Sequence, residues 1–274
     1  MRLIWCTDIH LDHCQDISMF INDVLMMQPD RVLVTGDISN ATQIENHLTV
    51  MAEQLNIPID FVLGNHDYYG VSPYFPAKMH VTRKKVNEVV NRFSNLNWLE
   101  TSGPIQLTDN AALIGSSLWC DWKVGLKDKS TVWLNDYLLI SDLFGYPNSN
   151  SDRNKIKRKI RDLAKQFTVQ LMNDFQKAID QGYKKIIIGT HVPPFHEASF
   201  YDGKVSDDNW APHFVCKTAG DEIYQAAKNN PDVDITLLYG HTHGMGKKDI
   251  LSNLHAINGE AIYRHPKPQT PIIL

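Results

Sequence analysis

The chain has 274 residues, 43% of them hydrophobic, which is enough to bury one sizeable core, and a formal charge of -4 from 27 Lys and Arg against 31 Asp and Glu. That balance excludes a general attraction to the nucleic-acid backbone or to an anionic membrane, and no apolar run approaches the roughly 20 residues of a membrane span. The opening Met1-Arg2-Leu3-Ile4-Trp5-Cys6 reaches Asp8 too soon for a secretory leader, and the 4 cysteines (Cys6, Cys14, Cys120, Cys216) form no Cys-x-x-Cys pair, so a reducing cytoplasm is the expected home.

Leu3 to Cys6 reads as a buried strand that ends in Thr7-Asp8-Ile9-His10. In extended chain, residues two apart share a face, so Asp8 and His10 can converge on one cation. Either alone is more often a cap or a surface residue. From Asp16, read as an N-cap, Ile17, Phe20, Ile21, Val24 and Leu25 repeat at helical spacing until Pro29. Val32 to Val34 is a second strand, closing on Thr35-Gly36-Asp37. Ile44, Leu48, Met51 and Leu55 mark a second helix, and Ile59 to Leu63 a third strand that runs into Gly64-Asn65-His66-Asp67. An amide, an imidazole and a carboxylate at the end of a buried strand are costly to hold unless each meets a partner. A polar loop with a helix cap reads the same way for this tetrapeptide alone. The alternation predicts an α/β fold with a parallel sheet, and places all three clusters beyond the carboxyl ends of its strands, where such sheets build binding sites.

A helix carrying Val86, Val89, Val90 and Phe93 is expected next, then a strand over Ala111 to Ser116. Residues 117–150 lack periodicity and hold Trp119, Trp122, Trp133, Tyr137, Phe144 and Tyr146. They are either a satellite core or a lid or substrate wall. Asp152 is read as the cap of a long helix with the stripe Ile156, Ile160, Leu163, Phe167, Leu171 and Phe175. Its opposite side, Arg153, Lys155, Lys157, Arg158, Lys159 and Arg161, reads as a solvated face rather than an anion-binding one. Ile186 to Ile188 forms a strand ending in Gly189-Thr190-His191, and the aromatic loop 192–216 is a second wall. A short helix over Ile223 to Ala227 precedes the strand Ile235 to Tyr239, which ends in Gly240-His241-Thr242-His243. Leu254 to Asn258 and Ala261 to Tyr263 read as closing antiparallel strands about Asn258-Gly259.

Five strand ends therefore carry Asp8 with His10, Asp37, Asn65 with His66, His191, and His241 with His243. Carboxylate, imidazole and amide donors without thiolate suit Mn²⁺, Fe or Zn²⁺ better than a structural zinc cage, and their number suggests two ions. The ordered set resembles the calcineurin-like metallophosphoesterase superfamily: Asp-x-His, Gly-Asp, Gly-Asn-His-Asp, a lone His and Gly-His-x-His, each following a predicted strand between Asp8 and His243.

The resemblance implies a four-layer αββα sandwich of two mixed sheets flanked by helices, in one domain over residues 1–274 with insertions at about 117–150 and 192–216. It implies that Asp8, His10, Asp37 and His243 hold one metal, and that Asp37, Asn65, His191 and His241 hold the other, with Asp37 bridging. His66 is then the non-ligand catalytic histidine. The implied reaction is hydrolysis of a small phosphate ester, a nucleotide among the options and a diester slightly favoured over a monoester, by hydroxide generated at the ions. Asn40, Ala41 and Asp67 stand where the phosphoprotein phosphatase branch has Asp, Arg and Glu, which argues against a protein phosphatase. Two alternatives stand beside this expectation. One is a nuclease using the basic helix as its groove. The other is a non-catalytic scaffold, which the complete donor set disfavours. His13, His196 and His213 match no ligand position and are expected in the pocket or on the surface.

Overall fold

In the computed structural model, which describes residues 1–274, strand β1 (Arg2–Cys6) leads through helix α1 (Ile17–Met26), β2 (Arg31–Thr35) and α2 (Ile44–Leu55) to β3 (Ile59–Val62). The Asp16 carboxylate accepts from the Ser18 amide, satisfying an N–H that the first turn of α1 leaves without a partner. Phe20, Ile21 and Val24 are buried, whereas Leu25 lies half out of the stripe. Helix α3 (Met79–Val90) buries Val86 and Val89 but stops short of Phe93, and Val90 is only half-buried. Strand β4 (Leu96–Trp98), the single turn α4 (Leu99–Ser102), β5 (Ile105–Thr108) and β6 (Ala111–Ser116) follow.

Residues 117–150 are irregular apart from short turns such as α5 (Asp136–Leu139). Helix α6 (Asn150–Asp180) is capped by Ser149, whose hydroxyl accepts from the Asp152 amide. This corrects the assignment of the cap to Asp152, which lies in the first turn and accepts from the Tyr146 amide. Ser followed three residues later by an acid is a capping-box pattern, and the serine takes the outer place. Strand β7 (Lys185–Thr190), the ribbon β8 (Phe200–Tyr201) and β9 (Lys204–Val205), the turn α7 (Ala211–Phe214), helix α8 (Lys217–Asn229) and strands β10 (Asp234–Tyr239), β11 (Gly246–Leu251), β12 (Leu254–Asn258) and β13 (Ile272–Ile273) complete the chain. The expected closing hairpin is shifted. β12 pairs antiparallel with β11, and 261–263 is not a strand. The β11 sequence Gly-Lys-Lys-Asp-Ile-Leu is a charged edge, a pattern that reads as loop.

The strands form two mixed sheets, β13-β1-β2-β3-β4 and β11-β12-β10-β7-β6-β5. Strands β1 to β4 are parallel, as are β6, β7, β10 and β12, while β13, β5 and β11 run antiparallel at the margins. Alternation along each strand separates two cores. Leu3, Trp5, Leu33 and Val62 pack between the sheets with Leu113, Ile187 and Leu238. Ile4, Cys6, Val32 and Val34 join Phe20, Leu48 and Met51 of α1 and α2 on the outer side. Helix α6 packs on β6 of the second sheet with α8 beside it, and Ile223 and Ala227 of α8 share a core with Ile235 and Leu237 of β10. This is the four-layer sandwich expected from the sequence, and β1, β2, β3, β7 and β10 all lie inside the parallel blocks.

Candidate metal centre

The residues after these five strands converge. Asp8, His10, Asp37 and His243 bring one donor atom each within 4.8 Å of one another. His10 Nε2 lies 3.3 Å from His243 Nε2, and His243 Nε2 lies 3.4 Å from Asp8 Oδ1. The convergence does not come from extended chain, as the two-residue spacing suggests. Asp8, His10, Asp37, His241 and His243 all have positive φ, at 49°, 40°, 50°, 69° and 58°. A non-glycine residue held there costs roughly 1–3 kcal/mol and persists only where the surroundings over-determine it. The left-handed turns swing consecutive donors to one side of the strand end. Gly64 and Gly240 leave the space this requires: a Cβ on Gly64 would strike the Asp37 carboxylate, and one on Gly240 the Asp8 carboxylate.

A second group adjoins the first. Asn65 Oδ1 lies 2.9 Å from His191 Nε2 and 3.0 Å from His241 Nδ1. Asp37 Oδ1 is 3.3 Å from His191 Nε2, while its Oδ2 is 3.8 Å from His10 Nε2, so one carboxylate oxygen faces each group. The outer ring nitrogens meet backbone carbonyls, His191 Nδ1 at Thr35 (3.0 Å) and His241 Nε2 at His213 (3.2 Å). Those nitrogens therefore carry the protons. Burial holds both rings below the ordinary histidine value, His191 at about 3, so both are neutral. The inward nitrogens then present lone pairs to an amide oxygen and a carboxylate. Lone pairs opposed at 3 Å repel unless a cation lies between them, and this donor chemistry fits a metal.

The charges agree. Burial pushes the Asp37 carboxyl well up, and Asp8 and Asp67 add to it. At Asp8 burial also raises the value, but His243, His191 and His10 outweigh it and hold the carboxyl below its ordinary range. Two such carboxylates ionise together only beside positive charge. His66 is buried except for 19% of its side chain, stacks on Tyr69 at 4.2 Å and has Nε2 3.9 Å from Asp37 Oδ2. It faces a cleft of about 620 Å³ lined also by Asn40, Tyr69, Asn135, Tyr263 and Arg264. Asp67 is a building residue: it accepts from the Ser39 and Gly64 amides, each at 2.7 Å, and burial pushes it up to about 8.

All the singled-out donors thus meet, and three other histidines are now placed. His13 lines the cleft, and His196 Nε2 donates to the Ser206 carbonyl. His213 is buried between Tyr137 (2.7 Å) and Ser130 (3.0 Å), while its carbonyl holds His241. Sequence reasoning missed Asp136, whose carboxylate meets Asn65 and Tyr69. Its signal was an acid among Trp133, Leu134, Tyr137 and Leu138. It also missed Tyr263, whose ring centroid lies 4.5 Å from that of His10 and 5.0 Å from that of His243, in a segment with no motif. The aromatics of 117–150 mostly pack internally, with Trp122 and Tyr137 fully buried and Tyr146 exposed. The basic face of α6 is not simply solvated. Arg153 stands by the Trp122 and Trp133 rings, Lys157 pairs with Asp128, and Arg161 donates to the Asp121 and Trp122 carbonyls.

A two-sheet sandwich with clustered Asp, His and Asn donors at its strand ends defines a class of metal-dependent hydrolases. The chain belongs to the calcineurin-like phosphoesterase family, whose model matches residues 1–245. It is a metal-dependent phosphoric ester hydrolase of a family that uses two ions. No curated protein matches it significantly in sequence. Its fold is similar to that of a phosphopantetheinyl hydrolase from Mycobacterium tuberculosis (TM-score 0.67, 15% identity, covering 96% of this chain and 90% of that one). It is also similar to a dimetal phosphatase from Danio rerio (TM-score 0.57, 12% identity, covering 97% and 89%). At these identities the likeness is one of fold. No helix is long and apolar enough to cross a membrane.

Proposed function

We propose that the chain is one catalytic domain that hydrolyses a small phosphate diester, in preference to a monoester, at two Mn, Fe or Zn ions. Asp8, His10, Asp37 and His243 hold one ion, Asp37, Asn65, His191 and His241 the other, and segments 117–150 and 192–216 wall the site. The observation that carries this reading is the opposition of unprotonated nitrogens and oxygens around Asn65 Oδ1 and Asp37, which a cation held between them would relieve. When bound, the ions would supply hydroxide near neutral pH and neutralise phosphoryl oxygens. His66, at the cleft and outside both donor groups, is placed to protonate the leaving oxygen. The diester preference is supported by charge: Arg264 is the one Lys or Arg on the cleft that His66 faces, and Asp12 lines the same cleft. A monoester dianion calls for more positive charge than a diester monoanion. The engagement of Arg153, Lys157 and Arg161 with the 117–150 segment gives the nuclease reading no support. Four free cysteines support a cytoplasmic setting.

The test uses metal-stripped protein with Mn²⁺, Fe²⁺, Zn²⁺, Mg²⁺ or Ca²⁺ restored, assayed on bis-p-nitrophenyl phosphate and p-nitrophenyl phosphate. Metal-dependent turnover, faster on the diester, is expected. His66→Asn should keep its ions and lose about 10²–10⁴-fold in kcat. Turnover that persists without metal, or loss of both ions in His66→Asn, would overturn the assignment.

A further inference from the structure

We infer that Asp136, which belongs to none of the motif blocks, is a positioning residue that decides which end of the Asn65 amide meets the ions. The inference rests on the two-ion reading above. An asparagine side chain presents an oxygen and an NH₂ of nearly equal size, and which one faces inward is settled only by its partners. Here Asn65 Nδ2 donates to Asp136 Oδ1 at 2.8 Å and lies 3.0 Å from the Tyr69 hydroxyl, which itself donates to Asp136 Oδ1 at 2.5 Å. Because Oδ1 already takes the Tyr69 hydroxyl proton, it faces Asn65 as an acceptor. Turning the amide over would set two acceptor oxygens against each other at that distance and aim N–H groups at His191 Nε2 and His241 Nδ1. Asp136 therefore selects the orientation in which Oδ1 joins those nitrogens.

Two features make this positioning rather than substrate contact. Asp136 is buried, 2% exposed, and reaches Asn65 from 71 residues further along the chain. The void beside it, bounded by Asn65, Asp136, His191, His213 and His241, has about 10 Å³, near the limit for a single water, whereas the open cleft lies at His66. The same carboxylate ties Asn65 to Tyr69, on whose ring His66 stacks, so one buried acid links a donor of the second group to the histidine at the cleft.

The test compares Asp136→Leu, which removes the acceptor and excludes water, with Asp136→Asn, which can still turn an oxygen toward Asn65. Ions per chain are counted after gel filtration, and the absorption of the Co²⁺-loaded protein is recorded. Wild type should retain two ions. Asp136→Leu should retain one, with affinity for the second lowered about 10- to 100-fold and the Co²⁺ bands of that site lost. Asp136→Asn should restore both. If Asp136→Leu is unfolded by circular dichroism, Asp136→Ala is read in its place. Two ions of wild-type affinity in a folded acceptor-free variant, or loss of both ions together, would overturn the inference. Fewer than two ions in wild type would instead refute the two-ion reading.

Discussion

Arg153→Ala separates two roles for the basic face of α6. The Arg153 guanidinium lies 5.5 Å from the Trp122 ring centroid and 5.2 Å from that of Trp133, and donates to the Ser130 carbonyl at 3.1 Å. A cation over an aromatic face contributes about 0.5–2 kcal/mol according to its exposure. A hydrogen bond from a charged donor contributes about 1.5–3 kcal/mol. These terms overlap at one half-buried side chain whose ordering opposes them, so the net loss should be about 2–3 kcal/mol. Unfolding entropy of about 2.1 cal/mol/K per residue gives roughly 0.6 kcal/mol/K for 274 residues, and hence a fall in Tm of about 3–5 °C. Thermal unfolding by circular dichroism checks this, with exposed Lys155→Ala as control, expected within about 1 °C of wild type. Binding of a short DNA at low salt, read by fluorescence anisotropy, is measured alongside. An unshifted Tm with lost DNA binding would refute the reasoning and restore the groove.

Two further outcomes follow from the structure. Gly240→Ala should deplete the ions held with Asp8, because the added methyl would stand against the Asp8 carboxylate and the Thr7 hydroxyl; elemental analysis showing wild-type ion content would contradict this. His47 is buried against Ser39 Oγ at 2.7 Å, and burial holds its ring below 6.5 despite the opposing pull of Asp12. The unfolded ring takes a proton near pH 6.5 while the folded one does not, so this site costs nothing above that pH and destabilises progressively below it. His47→Gln should narrow the gap between urea midpoints at pH 7 and pH 5, and an unchanged gap would exclude the effect.

The parallel core was legible because buried strands and amphipathic helices announce themselves by period and stop residues, as Val32 to Thr35 and Ile44 to Leu55 do. Strands β4, β5 and β13 were not, since they are short and take their place from neighbours rather than pattern. The donors were legible because each follows a readable strand. Their geometry was not: positive φ at Asp8 or His243 is imposed by the tertiary frame around a residue type that favours it only weakly. Asp136 and Tyr263 act through contacts 71 and 253 positions away from their partners Asn65 and His10, a separation that no local pattern records.

The donors come from both halves of the sandwich. Asp8, His10, Asp37 and Asn65 follow strands of the five-stranded sheet, and His191, His241 and His243 follow strands of the six-stranded one. In the proposed ligand sets each ion draws on both, so it would act as a cross-link that rivets one sheet to the other. Nothing short of the assembled pair offers that coordination, and cation uptake would become a term in the folding equilibrium, adding about 2.7 kcal/mol at a free concentration one hundred times Kd. A cell's metal supply would then govern how long the protein survives as well as how fast it turns over.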